Sequence, residues 1–289
     1  MSKIKVSTEY LKNVLKFFEH KSIYNDEIQI TWIGQAGFIL KFRDKILIID
    51  PYLSDYLSKK YKGKLFPHIR LMKIPIDPKL ITNIDYLLCS HAHSDHMDPE
   101  TVSILSEMNP EVKIIIPAAE IEEAIDRGAK IHQIVKINDG ELLSLESEIR
   151  IIGVAAAHET FRLDEEGQHL FLGYVFDFED VRIYHSGDCV PYYGLTQKLK
   201  ELEIDLALLP INGRDEYRLK NNIAGNFFIS EVVNICKTAK IEAVIVHHFG
   251  MFAYNTVSEG ELEYLRRASS TYLQIFVPEI NTIYKVKKK

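Results

Sequence analysis

The 289-residue sequence predicts an α+β fold, with two mixed β-sheets packed face to face and helices outside. Three observations predict it. Strand-like runs concentrate in two blocks, residues 27–52 and 149–186. Each block is followed by a stretch in which strand and helix patterns alternate, an order that does not suit a doubly wound sheet, where they alternate throughout. No repeat or low-complexity linker interrupts the chain, so residues 1–289 are expected to form a single domain.

Taken in order, residues 8–20 place Leu11, Val14, Leu15 and Phe18 at helical spacing behind Ser7 or Thr8, which predicts a capped amphipathic helix. EIQITWIG (27–34), GFILKF (37–42) and KILIIDPY (45–52) read as strands. Arg43-Asp44 sits at a tight hairpin turn, and Gly34-Gln35-Ala36-Gly37 makes a second turn with glycines for close backbone geometry. Residues 52–76 are irregular and rich in Tyr and Lys, the pattern of a loop lying over a functional site. IDYLLC (84–89) is a short buried strand, and Asp98-Pro99 opens a helix that runs to about residue 108. A strand at 112–116 and a helix at 118–127 follow. A strand at 149–155 and a hairpin of 170–178 with 181–186 form the second β block. Strands at 205–209 and 241–246 and helices at 229–239 and near 258–269 complete the pattern, and the terminal KVKKK reads as a solvated tail.

Composition narrows the function. The chain is 46% apolar and 26% charged, a balance that supports a sizeable core. A formal net charge of −6 argues against broad nucleic-acid binding, while leaving room for a small local anion pocket. Cys89, Cys189 and Cys236 are widely spaced and odd in number, which predicts core thiols in a reducing, cytoplasmic compartment. Charges at Lys3, Lys5, Glu9, Lys12, Lys16 and Glu19 leave no apolar segment for a signal peptide. No run approaches the roughly 20 apolar residues of a membrane span, so no membrane partner is expected. His185 reads as core, and His20, His68, His132 and His169 as surface or structural.

The chemistry concentrates in SHAHSDHMD, residues 90–98. His91 and His93 are two residues apart and share a direction on an extended loop; Asp95 and His96 point to a neighbouring volume. One loop can thereby serve two adjacent metal positions, which fits imidazole and carboxylate chemistry better than a solvated polar loop does. Further ligand candidates stand at strand ends: His158 in AAAHET, Asp188 in YHSGDC, and His247 and His248 in VIVHHFG.

Together these residues resemble the metallo-β-lactamase superfamily, with its HxHxDH loop, lone His, Asp and final His in that order. The resemblance implies an αββα sandwich and a two-ion site. His91, His93 and His158 would hold one ion, Asp95, His96 and His248 the other, and Asp188 would bridge. Asp50, after KILII, matches an early Asp that supports the loop. His248 is preferred over His247 because HFGMF resembles an HxxMF stretch of related hydrolases, and neighbours on a strand face opposite ways. A narrower resemblance, through TWIGQAGFIL, LPINGRDEYR, NNIAGNF and HHFGMF, is to the L-ascorbate-6-phosphate lactonases. It implies L-ascorbate utilisation by metal-dependent opening of the lactone to 3-keto-L-gulonate 6-phosphate. By that resemblance a bridging hydroxide would be the nucleophile, and Asp188, Asp95 and His248 would form the catalytic group. Manganese is implied, and the ligand set also accepts zinc. Arg214 and Arg218 would grip the substrate phosphate, unless Arg214 pairs with Asp215 or Glu216 instead. Lys220 is a lesser candidate. Asn226 would cap the next helix or edge the pocket. The rivals are a phosphodiesterase or other phosphorylated-lactone hydrolase of the same fold, and a non-enzymatic metal-binding protein. A homo-oligomer is left open.

Overall fold

A computed structural model describes residues 3–19 and 26–289. Seven strands of the first part of the chain are β1 (Ile4–Tyr10), β2 (Ile28–Gly34), β3 (Gly37–Phe42), β4 (Lys45–Ile49), β5 (Tyr86–Leu88), β6 (Lys113–Pro117) and β7 (Ile134–Ile137). Between them lie α1 (Lys16–Glu19), α2 (Tyr56–Lys60), α3 (Pro99–Met108) and α4 (Ile121–Asp126). The second part gives β8 (Leu142–Ser144), β9 (Ile149–Ala155), β10 (Leu172–Phe178), β11 (Val181–His185), β12 (Leu206–Pro210), β13 (Ala243–His247) and β14 (Gln274–Phe276). Its helices are α5 (Leu195–Glu201), α6 (Glu216–Lys220), α7 (Ile229–Ala239) and α8 (Glu259–Arg267). The last strand, β15 (Thr282–Lys288), returns to the first sheet.

The first sheet runs β1-β15-β2-β3-β4-β5-β6-β7 and the second β14-β13-β12-β11-β10-β9-β8. Each is antiparallel on one side and parallel on the other, with β4 to β7 and β11 to β14 parallel. Strand alternation builds the layers. Leu47 and Ile49 of β4 join the core between the sheets, whereas Ile46 and Ile48 face the outer layer with Val102 and Leu105 of α3. On the far side, Leu199, Ile235 and Leu265 bring α5, α7 and α8 onto the second sheet. Among the described residues no helix is long and apolar enough to cross a membrane.

Several local signals hold. The N-cap Asp98 accepts the Glu100 amide and Pro99 opens α3. Phe42 pairs with Lys45 across Arg43-Asp44. Both chain ends differ from expectation. Ser7 and Thr8 lie in β1, not at a helix cap, and only the short α1 follows; residue 20, and with it His20, lies outside the described residues. KVKKK is no tail: β15 pairs with β1 on one side and β2 on the other and buries Ile283, Tyr284 and Val286. Each end has a pattern too weak to read alone, and their mutual pairing decides both.

Candidate metal centre

The site sits at one edge of the sandwich because the chain keeps returning there. β2 and β4 run the same way, as do β9, β11 and β13, and the site residues follow their C-terminal ends. Asp50 follows β4, the 90–98 loop follows β5, His158 follows β9, Asp188 follows β11 and His248 follows β13.

Asp50 organises the loop. Its Oδ1 accepts the Ser90 amide at 2.7 Å, and its Oδ2 meets Ser90 Oγ and His96 Nδ1, each at 2.7 Å. This fixes the His96 ring and leaves Nε2 to face the site. Gly187, just before Asp188, is required: a Cβ there would lie 2.8 Å from Ser90 Cβ, and its φ is +58°.

Two clusters result. His91, His93, His158 and Asp188 form one and Asp95, His96 and His248 the other; within each, the ligand atoms lie within 4.8 Å of one another. Asp188 faces both. Its Oδ1 is 3.2 Å from His96 Nε2 and 3.3 Å from His248 Nε2, and its Oδ2 is 3.9 Å from His158 Nε2. His91 Nε2, His96 Nε2, His158 Nδ1 and Asp188 Oδ1 are buried with no hydrogen-bond partner. Buried polar atoms rarely remain unpaired, so this convergent set fits divalent cations. Phe171 backs the first cluster, its ring 4.8 Å from His91 and 5.2 Å from His158.

Electrostatics divides the two clusters. Burial, aided by His93 and His96, pushes His158 down to about 3, so it is neutral and ready to ligate. Burial also acts to lower His248, but Asp188 and Asp95 outweigh it and hold that ring at about 9. His96 is likewise raised, against burial, by Asp188, Asp50 and Asp95. Burial disfavours the charged form of Asp188, yet His248 and His96 keep it ionised. In the metal-free chain, the second cluster therefore holds protons on His96 and His248 where a cation would bind, while the first does not.

The two adjacent histidines separate. His248, at φ +61°, turns to the cluster, while His247 lies behind it, stacked on His185 at 4.9 Å. Cys89, Cys189 and Cys236 are buried and unpaired.

The clusters open into a cleft of about 760 Å³. Residues 57–68 wall one side through Leu57, Lys60, Tyr61, Lys64, Leu65, Phe66 and His68. His68, expected to be a surface or structural residue, is in this wall and stacks on Tyr61 at 4.1 Å. Lys60 Nζ donates to Ser94 Oγ, within the metal loop, at 3.3 Å. Arg162 also lines the cleft, its guanidinium 5.9 Å from the Phe171 ring that backs the first cluster. Sequence reasoning missed Lys60, Lys64 and Arg162. For the two lysines the available signal was residues 56–76, with six basic and no acidic side chains in an acidic protein; Arg162 stands outside that run.

Arg214, Arg218 and Asn226, expected at the substrate, are not among the residues that line the cleft. Arg214 makes a two-pronged pair with Glu231, both distances 2.7 Å, and lies 4.3 Å over Phe228. Arg218 is engaged by Asp215, the Asn212 carbonyl and Asn255 Oδ1. Asn226 is fully buried and donates to Asn212 Oδ1, while Glu231 reaches back to the Phe228 amide at the start of α7. These residues brace the 212–226 loop, which presents Asn221 to Ala224 to the cleft. Lys220 pairs with Glu216 at the surface.

Residues 46–249 match the family model described as a β-lactamase superfamily domain. The chain belongs to the metallo-β-lactamase superfamily. A UPF0173 metal-dependent hydrolase of Saccharolobus solfataricus is 28% identical over 192 residues, covering 64% of this chain and 72% of that protein. N-acyl-phosphatidylethanolamine-hydrolyzing phospholipase D 1 of Caenorhabditis elegans is 24% identical over 245 residues, covering 78% and 65%. A metallo hydrolase structure from Ignicoccus hospitalis shares the fold at TM-score 0.63 and 18% identity, covering 89% of this chain and 98% of that one. As a member of the metallo-β-lactamase superfamily the chain is a metal-dependent hydrolase.

Proposed function

We propose that this chain is a two-metal hydrolase of a small anionic ester, with a phosphorylated lactone, L-ascorbate 6-phosphate, as the specific substrate. The observation that carries the reading is the pair of ligand clusters meeting at Asp188 on the floor of a cleft walled by Lys60, Lys64 and Arg162. His91, His93 and His158 would hold one ion, and Asp95, His96 and His248 the other. Bound there, divalent ions supply Lewis acidity and lower the pKa of water toward neutrality. The donor set accepts zinc and manganese, and the lactonase resemblance favours manganese.

The chain's own groups then have distinct tasks. Asp188, between the clusters, orients the attacking water and accepts its proton. The acyl carbon gains the hydroxyl as its bond to the ring oxygen breaks, and Asp188 returns the proton to that oxygen. Asp50 holds His96 in place throughout. Lys60, Lys64 and Arg162 draw the phosphate toward the cleft walls, the task expected of Arg214 and Arg218.

A second reading, phosphodiester hydrolysis, is favoured by the likeness to the nematode phospholipase D. One assay separates the two. Manganese-loaded protein is expected to remove the ultraviolet absorbance of L-ascorbate 6-phosphate, while chelated protein and His93→Ala leave it unchanged. No loss with manganese, zinc or iron rejects the lactone, and turnover of bis(4-nitrophenyl) phosphate in its place supports the diester.

A further inference from the structure

Gln35 stands beside the second cluster with an unused donor atom. It lies in the turn between β2 and β3, fully buried, with a left-handed φ of +50°. Its carbonyl accepts the His248 amide and the Trp32 indole N–H, each at 2.9 Å, so its backbone is fixed against the site. The side-chain Nε2 lies 2.8 Å from Asp95 Oδ2 and 3.0 Å from His248 Nε2. Its Oε1 is buried and has no hydrogen-bond partner.

An amide presents its nitrogen and oxygen at the two ends of one flat group, and a half-turn exchanges them. The surrounding spacing is that of a ligand shell. Asp95 Oδ2 is 3.5 Å from His248 Nε2, and Asp188 Oδ1 is 3.3 Å from His248 Nε2 and 3.2 Å from His96 Nε2. Donor atoms bound to one ion at about 2.1 Å lie about 3 Å apart. The Gln35 amide falls within the same interval from two of these atoms.

We propose that Gln35 is a ligand of the second ion, turning Oε1 toward Asp95 and His248 when that ion binds. This rests on the two-ion reading and goes beyond it, because it adds a neutral oxygen donor from outside the histidine and aspartate motifs. With Asp95, His96, His248 and Asp188 it brings the protein donors at that ion to five. Such a shell suits manganese or iron, which accept five or six donors, over a four-coordinate zinc.

Calorimetric titration of metal-free protein with Mn²⁺ tests this without an activity assay. Wild type is expected to take two equivalents. Gln35→Leu keeps the first and binds the second at least 10-fold more weakly. Gln35→Glu, which supplies a carboxylate oxygen in the same place, binds the second as tightly as wild type or tighter. A Gln35 that only donates to Asp95 gives the opposite: Glu repels Asp95, and the second ion weakens as much as in the Leu variant. That outcome overturns the proposal, as does equal affinity in all three proteins. If Gln35→Leu does not fold, the Glu variant alone decides. A wild type that takes one ion fails the two-ion reading itself, and the ligand role falls with it.

Discussion

Gln35, Asp50 and His248 all carry left-handed backbone, at φ +50°, +48° and +61°. None is glycine, so each conformation costs energy that the surrounding contacts must hold. Each residue stands where a strand ends and delivers a side chain toward the clusters. Arg214 shows the reverse case, a charged residue with a structural task. Arg214→Met is expected to lower stability by about 1–2 kcal/mol, through loss of the half-exposed pair with Glu231. KM for an anionic substrate should stay within about twofold, by steady-state kinetics beside thermal melting. A large rise in KM with unchanged melting would return Arg214 to the substrate. At this scale the sequence shows what is local. HxHxDH puts four donors in six residues, and His158, Asp188 and His248 each stand just past a strand-like run. Arg214 is seventeen residues from its partner and Gln35 sixty from Asp95, separations at which no periodic pattern forecasts a contact.

Elements were legible where apolar period and punctuation agreed. The strand expected at 149–155 is β9 residue for residue, and the helix expected at 229–239 is α7. Both bury a regular apolar set. β7, β8 and β14 escaped notice because they are three or four residues long, too short to show a period. The two chain ends failed for a different reason. β15 alternates Ile283, Lys285 and Lys287 with Tyr284, Val286 and Lys288, a pattern cut short by lysine, and its neighbours in the sheet supply the rest. Deleting residues 282–289 removes the strand that joins β1 to β2. It is expected to leave a protein without a cooperative thermal transition, by circular dichroism. A truncated chain that melts like the full one would restore the reading of this segment as a tail.

Across the whole molecule, two sheets of like design meet so that their site-bearing strand ends share one edge. The face-to-face arrangement could be read from the order of strand and helix patterns, because that order limits how apolar faces are covered. The cleft was legible only in part: the irregular chain between β4 and β5 reads as a loop over the site and does wall it, but no period shows which of its side chains face inward. The protein carries a net charge of −6, yet this wall is basic, the contrast on which the proposed preference for an anionic substrate rests. The central claim is that this edge holds two ions about Asp188. Crystals soaked in manganese and measured near its absorption edge test it most directly. Two anomalous peaks are expected, one among His91, His93 and His158 and one among Asp95, His96 and His248, with Asp188 between them. A single peak, or peaks away from these side chains, would contradict the account.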